Sequence, residues 1–133
     1  MKKIISLIIG IFLLIPINQA QIKKIKVKFV DLGIETPIRI DKNEFESYFF
    51  KEMDSTFVIS HRKINELRKL IFRLKSADMN LYSQPDVRIK IIMFGSNRIS
   101  DTICVGQFVA EKGNHFFIAS PSFMKIIKKT CKK

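Results

Sequence analysis

The chain has little of what most catalytic and metal sites are built from: two histidines, two cysteines and five glycines in 133 residues. His61, Cys104, His115 and Cys131 are scattered without the short spacings of zinc ligands, so no metal site is expected. The glycines form no phosphate-cradling loop, and neither a G-x-S-x-G elbow nor an H-E-x-x-H helix occurs. Acidic residues number twelve, and no two are placed so that a shared acid–base site follows. Proline and glycine mark no linker, and nothing repeats at a period of about 20–50 residues. No cofactor is implied, and these absences favour a binding role over catalysis.

What is present begins with MKKIISLIIGIFLLIPINQA. Lys2 and Lys3 make a basic start, Ile4 to Ile17 carry no charge, and a polar Asn18-Gln19 leads to the small Ala20. That order is the order of a secretory signal peptide. The apolar run falls short of the roughly 20 residues needed to cross a bilayer, and Pro16 stands near its end. Residues 1–20 are therefore expected to be an export signal cleaved near Ala20, leaving a periplasmic or secreted product with no transmembrane helix. Residues 21–133 are then a single globular domain, large enough to bury a core without metals or dense disulfides.

Loss of Lys2 and Lys3 lowers the formal charge from +12 to +10. Such an excess attracts anionic partners without identifying one. For an exported chain cytosolic nucleic acid is excluded, and the partner classes left are another protein or an anionic envelope component, with peripheral membrane contact allowed.

Periodicity supplies a coarse map. Ile25, Val27 and Phe29 alternate with Lys24, Lys26 and Lys28, which predicts a strand over 22–30 with its lysines on a solvated face that also discourages edge pairing. A short strand is expected at Pro37–Ile40. Asp41 and Glu44 have capping-box spacing before a short helix at about 42–50, with Ile40 stapled on Phe45. Another extended piece spans Thr56–Ile59, and Ser60 caps the next helix, with Ile59 expected to staple on Ile64.

The helix from His61 to about Lys75 has the clearest pattern, with Ile64, Leu67, Leu70, Ile71 and Leu74 on one arc of about 120° and Arg62, Lys69 and Arg73 opposite. From Pro85 the period becomes two. Val87 to Met93 forms one strand, Gly95-Ser96-Asn97 a three-residue loop, and Ile99 to Val109 the next strand. This register sets Val87 against Val105 and Ile89 against Ile103, places Asp101 on the core face opposite Ile91, and puts Asn97 at positive φ. A turn at Glu111–Asn114 leads to a strand at His115–Ala119. Ser120-Pro121 then opens a final helix whose apolar side is Phe123, Ile126 and Ile127.

The fold class expected is α+β, with an antiparallel sheet of about four to five strands, the helix at about 61–75 packed on one face, and a short C-terminal helix. The candidate anion-binding residues are Arg62, Lys69 and Arg73 together with Lys128, Lys129, Lys132 and Lys133. The cysteines leave two alternatives open: a Cys104–Cys131 disulfide, suited to an exported protein, or a buried Cys104 with a free Cys131. Alternation opposes the bridge, because Cys104 points away from the face that the last helix should cover. Cys104 and His115 are expected about 20 Å apart, too far for a nucleophile and its base. The function that follows is a small, non-catalytic exported binding or interaction protein, inhibitor-like or an accessory subunit. The alternative is a basic module for anionic envelope material: glycolipid, phospholipid surface or acidic polysaccharide.

Overall fold

Alternating side chains close into one six-stranded antiparallel sheet in a computed structural model that describes residues 21–96 and 98–132. The export signal expected over residues 1–20, the conformation expected of Asn97 and the position of Lys133 lie outside the described residues. The strands are β1 (Lys24–Phe29), β2 (Asp54–Val58), β3 (Ile89–Phe94), β4 (Ile99–Val105), β5 (Val109–Lys112) and β6 (His115–Ile118), in the spatial order β2-β1-β3-β4-β5-β6. The helices are α1 (Phe45–Tyr48), α2 (His61–Phe72) and α3 (Pro121–Cys131). Among the described residues no helix is long and apolar enough to cross a membrane.

The sheet carries cover on both faces, and this splits the core in two. On the first face Ile25, Val27, Ile89, Ile91, Met93, Ile103 and Val105 are buried beneath Ile64 and Leu67 of α2 and Phe123, Met124 and Ile127 of α3. Ile126, expected on the buried side of α3, is exposed, and Met124 takes its place. Ser120 caps α3 as its sequence suggests, accepting a hydrogen bond from the Phe123 N–H, with Pro121 in the first turn. Ser60 holds the corresponding position before α2 but makes no side-chain cap, and Ile59 is exposed, so no staple forms with Ile64.

On the second face residues 30–53 fold back across the strands. Ile40, Phe45, Phe49, Val30, Val87 and Cys104 form a separate buried cluster there. The expected strand at 37–40 does not form, because this segment is tied to the sheet end by other bonds: Ile40 N–H donates to Asp86 Oδ1 at 2.8 Å, and its carbonyl accepts from Val87 N–H at 2.8 Å. The capping box is present around a helix of a single turn, since Asp41 Oδ1 accepts from the N–H groups of Asn43 and Glu44 while Glu44 Oε2 accepts from Asp41 N–H.

This second layer changes the reading of the lysine row. β1 is an interior strand, paired with β2 on one side and β3 on the other, so its lysines guard no edge. Lys28 and Lys90 lie under the 30–53 segment and meet Glu46, with Lys90 Nζ 2.7 and 2.9 Å from the two carboxylate oxygens and Lys28 Nζ 3.6 Å from Oε1. Burial pushes the Glu46 carboxyl up, but the Lys90 hydrogen bond, its own backbone N–H and the charges of Lys90 and Lys28 hold it below its ordinary value of 4.5. A carboxylate depressed in the folded state contributes stability that is present above its unfolded pKa and lost as pH falls through the folded one. The parent protein should therefore lose more stability than Glu46→Gln between about pH 6 and about pH 3.5. Urea midpoints at the two pH values check this, and equal losses would remove Glu46 from the acid response.

The β3–β4 hairpin keeps the expected faces but not the expected register. Ile89 lies opposite Val105 and Ile91 opposite Ile103, two residues on from the pairing anticipated, with an irregularity between Met93 and Phe94. Asp101 consequently faces Met93 and not Ile91. The long strand anticipated over 99–109 is two strands, β4 and β5, joined by a tight turn at Gln107-Phe108. Gly106 permits it: a Cβ there would stand 3.0 and 3.1 Å from the backbone O and N of Asp86. The following turn falls as expected, at Gly113-Asn114, and Gly113 carries the positive φ of 60° that favours glycine.

Candidate groove beside helix α2

At 100° per residue Arg68 falls on the border between the buried arc of α2 and its solvated side, while Asn65 and Phe72 lie farther round on the solvated side. The sheet beneath them is open at this border, leaving a groove of about 1060 Å³. One wall is α2 and its continuation, with Asn65, Arg68, Lys69, Ile71, Phe72, Arg73 and Leu74; the facing wall carries Ser100, Asp101, Lys112 and Phe117. Ile22, Met93 and Ile103 close the floor and are themselves almost fully buried. The accessible apolar surface is that of half-buried Ile71, Leu74 and Phe117, together with Phe72, which is 91% exposed.

Charge is distributed unevenly around this groove. On the sheet side Lys112 Nζ lies 2.9 Å from Asp101 Oδ2, so that pair is neutralised locally. On the helix side the charged groups of Arg68, Lys69 and Arg73 make no ion pair or side-chain hydrogen bond among the described residues. The helix dipole gives a local reason for Lys69 in the last turn and Arg73 just beyond it. It supplies none for Arg68, which stands earlier and at the groove border.

The basic residues singled out from sequence do not act as one site. Lys69 and Arg73 line the groove, whereas Arg62 is paired with Glu66 at 3.3 Å on an exposed part of the helix. Lys128, Lys129 and Lys132 are exposed on or just after α3, which lies against β2, and none lines the groove. Arg68 and Phe72 were missed by sequence reasoning. The signal for Arg68 was its angular position at the edge of the apolar arc; for Phe72 it was a large aromatic side chain on the solvated side of the helix.

A second cleft of about 910 Å³ opens at the other end of the sheet between residues 32–36, 81–86 and 107–109. Its buried cation, Arg88, is already consumed by the fold. Its guanidinium donates to both carboxylate oxygens of Asp86 at 2.9 and 2.7 Å and to Thr36 Oγ1 at 3.0 Å, and it lies 5.1 Å from the centre of the Phe49 ring. Arg88 therefore clips the 31–36 loop to the sheet, and its own charge is engaged there by Asp86.

Cys104 and His115 do not form a nucleophilic pair. Cys104 lies opposite Glu111 and Glu111 opposite Phe116, so His115 is two strand spacings, about 10 Å, away from Cys104 and not the 20 Å expected. The alternation of side chains nevertheless directs Cys104 and His115 to opposite faces. Among the described residues no group of histidine, cysteine, aspartate or glutamate side chains could hold a metal ion.

Both cysteines are free thiols, Cys104 in the second-face cluster and Cys131 against the first-face core. The sheet stands between them. Burial pushes each thiol up to about 11, which disfavours the reactive thiolate. Alkylation of the unreduced protein should accordingly be slow in the native state and should add two labels in denaturant. A denatured, unreduced protein that takes none would show a bridge.

The fold and groove define a small α+β domain with a basic-edged apolar cleft, and nothing more specific follows from likeness. Comparison with protein-family models, with curated proteins and with solved structures returned no match.

Proposed function

We propose that this protein is a small, exported, non-catalytic binding protein and that the groove between α2 and the sheet holds its ligand. The observation that carries this reading is the groove itself: it exposes Ile71, Phe72, Leu74 and Phe117 together beside three cations that have no ion pair among the described residues. Its volume of about 1060 Å³ lies just above the range of about 300–1,000 Å³ usual for small-molecule sites. The raised thiols and the separation of Cys104 from His115 weigh against nucleophilic chemistry. Export rests on the order of charges and apolar residues in 1–20.

Two measurements test the two halves of this proposal. The mature protein recovered from the exported fraction should have a mass that begins at or near Gln21, and an intact Met1 would overturn cleavage. Native mass spectrometry of the same material should show a bound species that Asn65→Trp, a bulky change on the groove wall, displaces. A bound species retained equally by the variant would move the ligand site elsewhere, and the finding of none would remove the groove as a site.

A further inference from the structure

The distribution of charge around the groove narrows the class of ligand. Four cations, Arg68, Lys69, Arg73 and Lys112, line it against one carboxylate, Asp101, which Lys112 already neutralises. Three positive charges are thus left, all on the α2 side. In the same groove Ile71, Leu74 and Phe117 present half-buried apolar surface, and Phe72 is almost fully exposed. A ligand charged along its whole length would satisfy the cations and strand the apolar wall in contact with polar groups. A wholly apolar ligand would fill the wall and exclude water from the cations without compensating them. A molecule with one anionic head and one apolar tail satisfies both.

We infer that the groove binds a single-chain anionic amphiphile, with its headgroup against Arg68, Lys69 and Arg73 and its chain along Ile71, Leu74 and Phe117. This rests on the reading of the groove as the ligand site. The two arginines suit a phosphate or carboxylate head, because a guanidinium offers parallel N–H donors to two oxygens where a lysine offers a point charge. The Asp101–Lys112 pair gives the sheet wall no net charge and so no competing attraction, which leaves the headgroup on the helix side. An exported protein meets such molecules at a membrane surface, and a groove of this kind holds one molecule, not a lipid layer.

Phe72→Trp supplies the reporter, since the chain has no tryptophan of its own and this side chain is exposed at the groove. Myristoyl lysophosphatidylglycerol, which is anionic, and myristoyl lysophosphatidylcholine, which is zwitterionic, are titrated below their micelle concentrations against the mature reporter protein. The anionic lipid should bind at least about tenfold tighter at low salt, and the gap should narrow as salt rises through the physiological range, where screening acts over about 8 Å. Adding Arg68→Gln, Lys69→Gln and Arg73→Gln should weaken the anionic lipid much more than the zwitterionic one, so that the roughly tenfold gap between them falls to about twofold or less. Circular dichroism of each variant confirms the fold.

Equal affinity for the two lipids would overturn the headgroup assignment and leave the groove as an apolar site. Binding of neither would overturn both this inference and the reading on which it rests. Full competition by glycerol phosphate would reduce the site to one for a free anion and remove the tail from it. If the triple variant keeps its preference and deletion from Lys128 onward loses it, the anion is held at the C-terminus and the groove assignment fails.

Discussion

Phe45→Ala should lower the unfolding free energy by about 3–5 kcal/mol, as much as truncation of any large side chain in the main core. A four-residue helix has no stability of its own, so α1 must be held by its side chains. Phe45 is completely buried, meets Phe49 edge-on with ring centres 5.7 Å apart, and packs with Val30, Ile40, Val87 and Cys104. The ammonium of Lys90 lies 5.9 Å from its ring centre, and that ammonium is itself bound to Glu46. Truncation would open a cavity beneath the segment that covers the second face and expose a lysine whose side chain is 13% accessible. Urea unfolding followed by circular dichroism measures the loss. A value under about 1 kcal/mol would show that residues 30–53 are a peripheral flap and not a second layer.

The second large effect separates two positions one helical turn apart. Leu67→Ala should cost about 2–5 kcal/mol, because Leu67 is 3% exposed in the centre of the first-face core. Ile71 belongs to the same apolar arc but only packs against that core from the groove side, half-buried. Ile71→Ala should cost about 1–2 kcal/mol, in proportion to the smaller area it removes from water. The same unfolding experiment reads both. Equal losses, or a larger loss at position 71, would mean that α2 is rotated so as to close the groove.

Much of the fold was legible because two periodicities are local properties. The period of two in Lys24–Phe29 and in Ile89–Phe94, and the 3.6-residue period of His61–Phe72, follow from how each backbone presents its side chains. The faces of the β3–β4 pair were readable for the same reason, since a slip of one residue would have put Lys90 among the aliphatic side chains. A slip of two residues preserves both faces. Hydrophobic pattern therefore could not distinguish the anticipated register from the observed one, and the position of Asp101 moved with it. The turn at Gln107-Phe108 was hidden because its flanks, Val105 and Val109, continue an apolar pattern, and the demand for Gly106 comes from Asp86, which approaches from a distant part of the chain.

The candidate site divides along the same line. That α2 is amphipathic, and that Lys69 and Arg73 lie off its buried arc, is decided by the spacing of residues along one helix. That the sheet carries a second layer, which turns Lys28 and Lys90 from solvated charges into partners of Glu46, is decided by a fold-back that brings Glu46 to Lys90, 44 positions away, and to Lys28. The groove is likewise a property of no single segment. It exists because α2 covers only part of the first face, and its charge is uneven because Lys112 and Asp101 meet across β4 and β5 while Arg68, Lys69 and Arg73 have no ion pair among the described residues. Local sequence determined which residues could face solvent or a core; only tertiary packing, which sets distances between residues remote in the chain, decided which charges are paired inside the fold and which are left at its surface.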